Sequence, residues 1–315
     1  MEDSISKQDL LDCHQRIRSY IHQTPVMSSR LLDETSGAKL FFKCENLQRT
    51  GSSKMRGATN AVLSVPESDR ANGVVAHSSG NFAQAVALAA QSIGVPAWIV
   101  MPSNAPQVKV DAVRGYGGQV IKCEPTIEAR EAESKRIAKQ HSATFLHPSN
   151  DIAVITGQGT AAMELLEQQP ALDFLLTPVG GGGLVAGSAL AAVHFGDGCK
   201  TIGSEPMAVD DAWRSLQSGK IETNDSTDTI ADGLRTVLGS NNFPIIQNYV
   251  EQIIRVDEGE IVAAMRLIWE RMKIICEPSC AVPLAAILRE KGRFVGKRVG
   301  VVLSGGNVDV DHLPF

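Results

Sequence analysis

The chain has no apolar stretch approaching the length that a membrane-spanning helix needs. Its opening, Met1-Glu2-Asp3-Ser4-Ile5-Ser6, lacks a basic segment followed by an apolar one, so no secretory leader is expected. Ser6 and Asp9 are instead spaced as a helix capping box. Cysteine is sparse: Cys13, Cys44, Cys123, Cys199, Cys276 and Cys280 include no C-x-x-C pair. Cys276 and Cys280 have Glu-Pro-Ser between them and no histidine nearby, which argues against zinc. Reduced, mostly buried thiols in a cytoplasmic, soluble protein are the simplest account. A basic surplus is also lacking, with 30 Lys+Arg against 35 Asp+Glu. Nucleic acid and anionic membrane surfaces are therefore not expected as partners, because phosphate binding needs a basic patch. Internal repeats, low-complexity segments and long linkers are absent too.

What the chain does have is a core: 43% of its 315 residues are hydrophobic, enough for two domains or one large α/β unit. Short apolar runs at residues 40–44, 74–77, 97–101, 120–123, 143–146, 174–179, 201–203, 252–256 and 299–303 read as strands. Helical patterns at 82–92, 126–141, 157–167 and 258–272 alternate with them. Such alternation predicts an α/β fold with mainly parallel, twisted sheets and helices on both faces. A group of strand-helix units over 70–149 reads as a small α/β domain, inserted between the 1–69 and 150–315 parts of a larger one. Residues 218–228 and 240–244 read as loop and turn.

Ser52-Ser53-Lys54-Met55-Arg56-Gly57 joins the run at 40–45 to a helical pattern. A lysine there would stand at a helix N-terminus, where the dipole and desolvation favour a neutral amine. A neutral amine can form a Schiff base with an aldehyde. A solvated surface lysine is the bland alternative.

Three other segments also follow predicted strands. Gly180, Gly181, Gly182 and Gly183 lie between a strand and a small-residue helix. Consecutive glycines let backbone N–H groups converge on an anion, and this loop has neither the P-loop lysine nor the dinucleotide spacing. A tight turn with close helix packing is the alternative. His77-Ser78-Ser79-Gly80-Asn81 offers hydroxyls, N–H groups and an amide for a carboxylate and a ring oxygen, or a plain helix cap. Ser304-Gly305-Gly306-Asn307 can present a neutral hydroxyl to a heteroatom, though strand-Ser-Gly-Gly is also ordinary turn chemistry. An imine-forming lysine, an anion cradle, a carboxylate grip and a neutral hydroxyl are together what pyridoxal phosphate and an amino acid require.

In this order the four motifs resemble the pyridoxal-phosphate enzymes of the tryptophan synthase β fold (fold type II). Within that group they look most like the serine racemases and serine/threonine dehydratases, over nearly the whole chain from Thr24 to Asn307. The resemblance implies that Lys54 forms the imine and acts as base on one face of the substrate Cα. Gly180, Gly181, Gly182 and Gly183 would hold the phosphate, Asn81 the 3-oxygen, and Ser304 the pyridine nitrogen, which a serine leaves unprotonated. Ser78, Ser79 and Asn81 would bind the substrate carboxylate, and Arg130 matches a substrate-contacting position. Ser79 is the acid/base on the opposite face in racemases, where many threonine dehydratases carry alanine. Loss of the β-hydroxyl follows from the same carbanion.

The resemblance further implies a magnesium or calcium site at Glu205, Asp211 and the Val209 carbonyl, against a solvated acidic loop as the alternative. It also implies a homodimer and, near Arg49 and Thr50, ATP as an effector between subunits. The chain departs from the pattern at Ser53 (commonly phenylalanine), Phe82 (usually histidine) and Ser149 (typically asparagine). The first two are expected to alter the pocket wall and the grip on substrate. With its end at Phe315, the added regulatory domain of long threonine deaminases is not expected. The resulting expectation is a serine racemase with serine/threonine dehydratase activity. The alternatives are a specialised L-threo-3-hydroxyaspartate or L-threonine ammonia-lyase, and a non-catalytic pyridoxal-phosphate- or phosphate-binding protein.

Overall fold

The computed structural model describes residues 5–315, so residues 1–4 of the opening lie outside it. Its strands are β1 (Val26–Met27), β2 (Lys39–Cys44), β3 (Val74–His77), β4 (Ala97–Pro102), β5 (Gln119–Cys123), β6 (Thr144–Phe145), β7 (Phe174–Pro178), β8 (Lys200–Pro206), β9 (Val250–Val256) and β10 (Arg298–Leu303). They form a six-stranded sheet ordered β1-β2-β10-β7-β8-β9 and a four-stranded sheet ordered β5-β4-β3-β6. All pairings among these strands are parallel except β1 with β2.

Buried parallel strands are apolar on both faces, and successive side chains divide between two cores. In the larger sheet, Leu176 and Val301 pack with the helices Glu258–Met272 and Pro278–Arg289. Their neighbours Leu175 and Val302 face the helices Ile152–Gln168 and Gly183–Phe195. In the smaller sheet, Val74 and Ala76 pack against the helices Lys54–Leu63 and Asn81–Ser92, whereas Val75 faces Ile137. The helix Lys7–Ile17 starts with the expected capping box: Ser6 Oγ accepts from Asp9 N at 3.2 Å, and Ser6 N donates to Asp9 Oδ2 at 2.8 Å.

This topology decides where a site can form. Strands β2, β10 and β7 are adjacent and parallel, so the segments leaving their carboxyl ends emerge side by side. Those segments carry Lys54, Ser304 and the glycine run. In open α/β sheets the crevice at these strand ends is where ligands bind. Among the described residues no helix is long and apolar enough to cross a membrane.

Candidate active site

Lys54 is the first residue of its helix, reached from β2 through two 3-10 turns, Glu45–Leu47 and Arg49–Gly51. Its loop is laced to the end of β10. Ser53 N donates to Ser304 O at 2.9 Å, Gly306 N donates to Gly51 O at 2.9 Å, and Ser52 pairs with Gly305 as an isolated antiparallel bridge. Burial depresses the Lys54 amine below the ordinary lysine range, with the Glu277 carboxylate opposing that shift.

Two residues along the same helix, Arg56 is completely buried. Its guanidinium donates to Glu45 Oε2 at 2.8 Å and to Glu164 at 2.8 Å through both Nη1 and Nη2. Lys43 Nζ donates to Glu164 Oε2 at 2.6 Å. This anchorage fixes the helix, and with it Lys54, on the larger sheet.

The smaller sheet contributes residues 78–81, directly after β3. Ser78 N donates to Val100 O at 3.2 Å, and Ser78 Oγ accepts from Gly80 N at 3.3 Å. Ser79 is half-buried beside them. Asn81 opens the helix Asn81–Ser92 and reaches across to the larger sheet: its Oδ1 accepts from Asn307 Nδ2 at 2.9 Å, and its Nδ2 donates to Glu277 at 2.9 and 3.2 Å. Hydrogen bonds therefore tie the segment before Lys54 to Ser304 and Gly306, and Asn81 to Asn307 and Glu277.

The glycine run lies beyond β7. A Cβ at Gly180, Gly181, Gly182 or Gly183 would come within 2.8 Å of Leu234, Ser149, Asn242 or Ser149 again, so no side chain can fill this loop. Gly182 has φ +84 and caps the helix Gly183–Phe195, whose N-terminal N–H groups face the loop. Asn242 Nδ2 fastens the loop, donating to Gly181 O at 2.8 Å and to Ser149 O at 2.9 Å. Ser149 thus walls the glycine loop.

Arg130 is placed differently. It lies on the helix Ile127–His141, donates from Nε to Thr126 O at 3.2 Å, and makes no hydrogen bond to Ser78, Ser79 or Lys54 among the described residues. Its charge is felt by His77, at the tip of β3, which burial, His147 and Arg130 push down to about 4. Phe82, at 2% exposure, packs in the core under the smaller sheet. Ser53 is buried, and its hydroxyl has no partner.

Glu205 is the next-to-last residue of the seven-residue strand β8, and Asp211 begins the helix Asp211–Ser218 after the 3-10 turn Met207–Val209. The Glu205 carboxylate accepts from Ala212 N at 3.1 Å and Trp213 N at 3.0 Å. Asp211 Oδ1 accepts from Asn224 Nδ2 at 2.5 Å, while Asp211 Oδ2 is buried without a partner. Burial lifts Glu205 well above the usual carboxylate range, Asp211 adding to it, and lifts Asp211 to about 6. An orphaned carboxylate oxygen beside a second buried acid fits a hard cation. No group of three or more His, Cys, Asp or Glu suited to a metal occurs among the described residues.

Sequence reasoning gave no individual role to Glu277, Asn307 or Asn242, although Asn307 stands in the Ser304 motif and Asn242 in the 240–244 turn. Glu277 stands immediately before the proline that starts the helix Pro278–Arg289, and it reads in sequence as a spacer between two cysteines. Those thiols are free and fully buried. Glu277 itself is only 4% exposed, and burial, then Asp232, push its carboxyl up to about 7. An ionisable residue directly before a helix-starting proline was the available signal.

A desolvated lysine at the mouth of adjacent parallel strands, with a glycine-lined helix N-terminus and an amide from a second sheet, defines an enzyme site built to hold an aldehyde cofactor bearing a phosphate. The chain belongs to the pyridoxal-phosphate dependent enzyme family, whose model matches residues 17–305. It is 48% identical to a serine racemase of Dictyostelium discoideum over 314 residues, covering 98% of this chain and 97% of that protein. It is 46% identical to a beta-hydroxyaspartate dehydratase of Paracoccus denitrificans over 308 residues, covering 98% of each. The crystal structure of the Dictyostelium serine racemase superposes with a TM-score of 0.93 over 97% of this chain and 99% of that one.

Proposed function

We propose that this chain is a pyridoxal-phosphate-dependent serine racemase that also eliminates water from serine and threonine. The observation that supports the reading is Lys54, its amine depressed by burial, together with Asn81, two residues after Ser79, whose Oδ1 accepts from Asn307 in the segment after Ser304. Bound pyridoxal phosphate supplies the electron sink that acidifies the substrate Cα. Lys54 Nζ takes the Cα proton on one side, and Ser79 Oγ gives or takes one on the other. Inversion needs both groups. Elimination needs only removal of the Cα proton and departure of the β-hydroxyl as water.

In this reading Gly180, Gly181, Gly182 and Gly183 hold the phosphate, Asn81 the 3-oxygen and Ser304 the pyridine nitrogen. Ser78, Ser79 and Asn81 grip the substrate carboxylate. Glu205, Asp211 and the Val209 carbonyl hold magnesium or calcium. A homodimer, ATP as an effector near Arg49 and Thr50, a cytoplasmic location, and a division into 1–69 with 150–315 and 70–149 belong to the same proposal.

A second reading, a dehydratase for L-threo-3-hydroxyaspartate with little racemisation, is favoured by the Paracoccus relative and by the cationic Arg130 beside His77. The test is a panel of L-serine, L-threonine and L-threo-3-hydroxyaspartate with the purified, cofactor-loaded protein. D-serine together with pyruvate supports the racemase. Keto acid without D-serine supports the dehydratase. A protein that takes up no cofactor defeats both.

A further inference from the structure

We infer that Glu277 is a positioning residue: with Asn307 on the other side, it fixes which way the Asn81 amide faces and so which atom Asn81 offers the cofactor. The inference rests on the reading of Asn81 as the partner of the cofactor's 3-oxygen.

The two ends of an asparagine amide are chemically opposite, and a free amide turns either way. Here both neighbours vote alike. Asn307 Nδ2 lies between two acceptors, Thr50 O at 2.7 Å and Asn81 Oδ1 at 2.9 Å, so it can only donate to Asn81. Asn307 thereby turns the Asn81 nitrogen toward Glu277, which it meets at 2.9 and 3.2 Å, and the ionised carboxylate, which only accepts, favours the same orientation. Two oxygens of one carboxylate subtend too small an angle at that nitrogen to take both hydrogens. One N–H is shared between them, and the other is left for an outside acceptor.

The surroundings are shaped for this carboxylate. Glu277 N donates to Gly305 O at 3.1 Å, fixing its backbone to the segment after Ser304. Gly305 has no side chain, and a Cβ there would stand 2.6 Å from Glu277 Oε1 and 3.1 Å from Asn81 Nδ2. Glu277 occupies the N-cap of its helix yet makes no side-chain cap bond, so helix capping does not explain it. A buried carboxylate is costly to keep. Among the described residues its side-chain hydrogen bonds go to Asn81, and the charges that act on it include Asp232, Lys54 and Lys109.

The experiment compares the full-length wild type with Glu277→Ala, Glu277→Gln and Asn307→Asp, each titrated with pyridoxal phosphate and followed by visible absorbance. Glutamine keeps an oxygen for the Asn81 N–H, so E277Q is expected to bind within threefold of wild type with an unshifted band. E277A is expected to bind about tenfold more weakly, the loss of roughly one good hydrogen bond. Its band should move to shorter wavelength, because the 3-oxygen loses its donor and keeps its own proton. N307D turns a donor into an acceptor and should flip the amide, giving the same shift even if E277A does not fold. Wild-type affinity and band in E277A or N307D overturn the inference, as does an E277Q defect equal to that of E277A. If wild type itself shows no band, the proposed function fails first; a wild-type band that survives in these variants sinks the positioning role alone.

Discussion

The backbone N–H of Ser53 donates to the carbonyl of Ser304 at 2.9 Å, joining the residue before Lys54 to the residue that follows β10. The segments that carry Lys54 and Ser304 are thus stitched together. Anything that forces the segment after Ser304 outward also moves the lysine loop.

Gly305→Ala tests that coupling. The new Cβ would meet Glu277 Oε1 at 2.6 Å. Overpacking of this kind costs about 1–3 kcal/mol. Lower thermal stability is expected, together with weaker cofactor uptake in a reconstitution titration. Unchanged uptake would mean that the two segments move independently.

The buried ion cluster gives a stability prediction. Glu164 is 1% exposed and faces Arg56 and Lys43 together. Removing one member of such a cluster strands the others, at about 3–5 kcal/mol. Glu164→Ala should therefore shift the urea midpoint far down. A shift no larger than that of an exposed pair such as Arg30–Glu34 would contradict the assignment.

Most of the framework was legible in the sequence. Nine of the ten strands appear as apolar runs, because parallel strands buried on both faces need them. The two-residue β1 is too short to leave a pattern. Lys54, the glycines and Ser304 declare themselves by position at strand ends. Glu277 and Asn307 do not, since their roles come from contacts between segments far apart in the chain. Arg130 matches a motif position, yet its bonds stay on its own helix.

Glu277 also sets a pH dependence in the cofactor-free protein. Its folded value of about 7 lies above the 4.5 of an ordinary glutamate. Between those two values the folded state binds more protons than the unfolded state, so stability falls as pH rises through the window. The effect is on the order of 3 kcal/mol at most. Wild type measured against E277Q should lose stability between about pH 5 and pH 8. A constant difference would place the carboxyl in an ordinary environment.

Asp211 gives a metal prediction. With Asp211 Oδ2 buried and unpartnered, millimolar magnesium or calcium should raise the wild-type melting temperature. Saturation at a hundredfold over Kd corresponds to about 2.7 kcal/mol. Asp211→Asn should abolish the response. A response that survives in the variant would locate the ion elsewhere.

Ser79 carries the central claim, because Lys54 can serve only one face of the substrate carbon. The decisive measurement is D-serine and pyruvate formed from L-serine by wild type and by Ser79→Ala, both loaded with pyridoxal phosphate. Wild type is predicted to make both products, and Ser79→Ala to make pyruvate at a comparable rate with D-serine lost. D-serine formation that persists without the Ser79 hydroxyl, or loss of both products together, would contradict the two-sided mechanism.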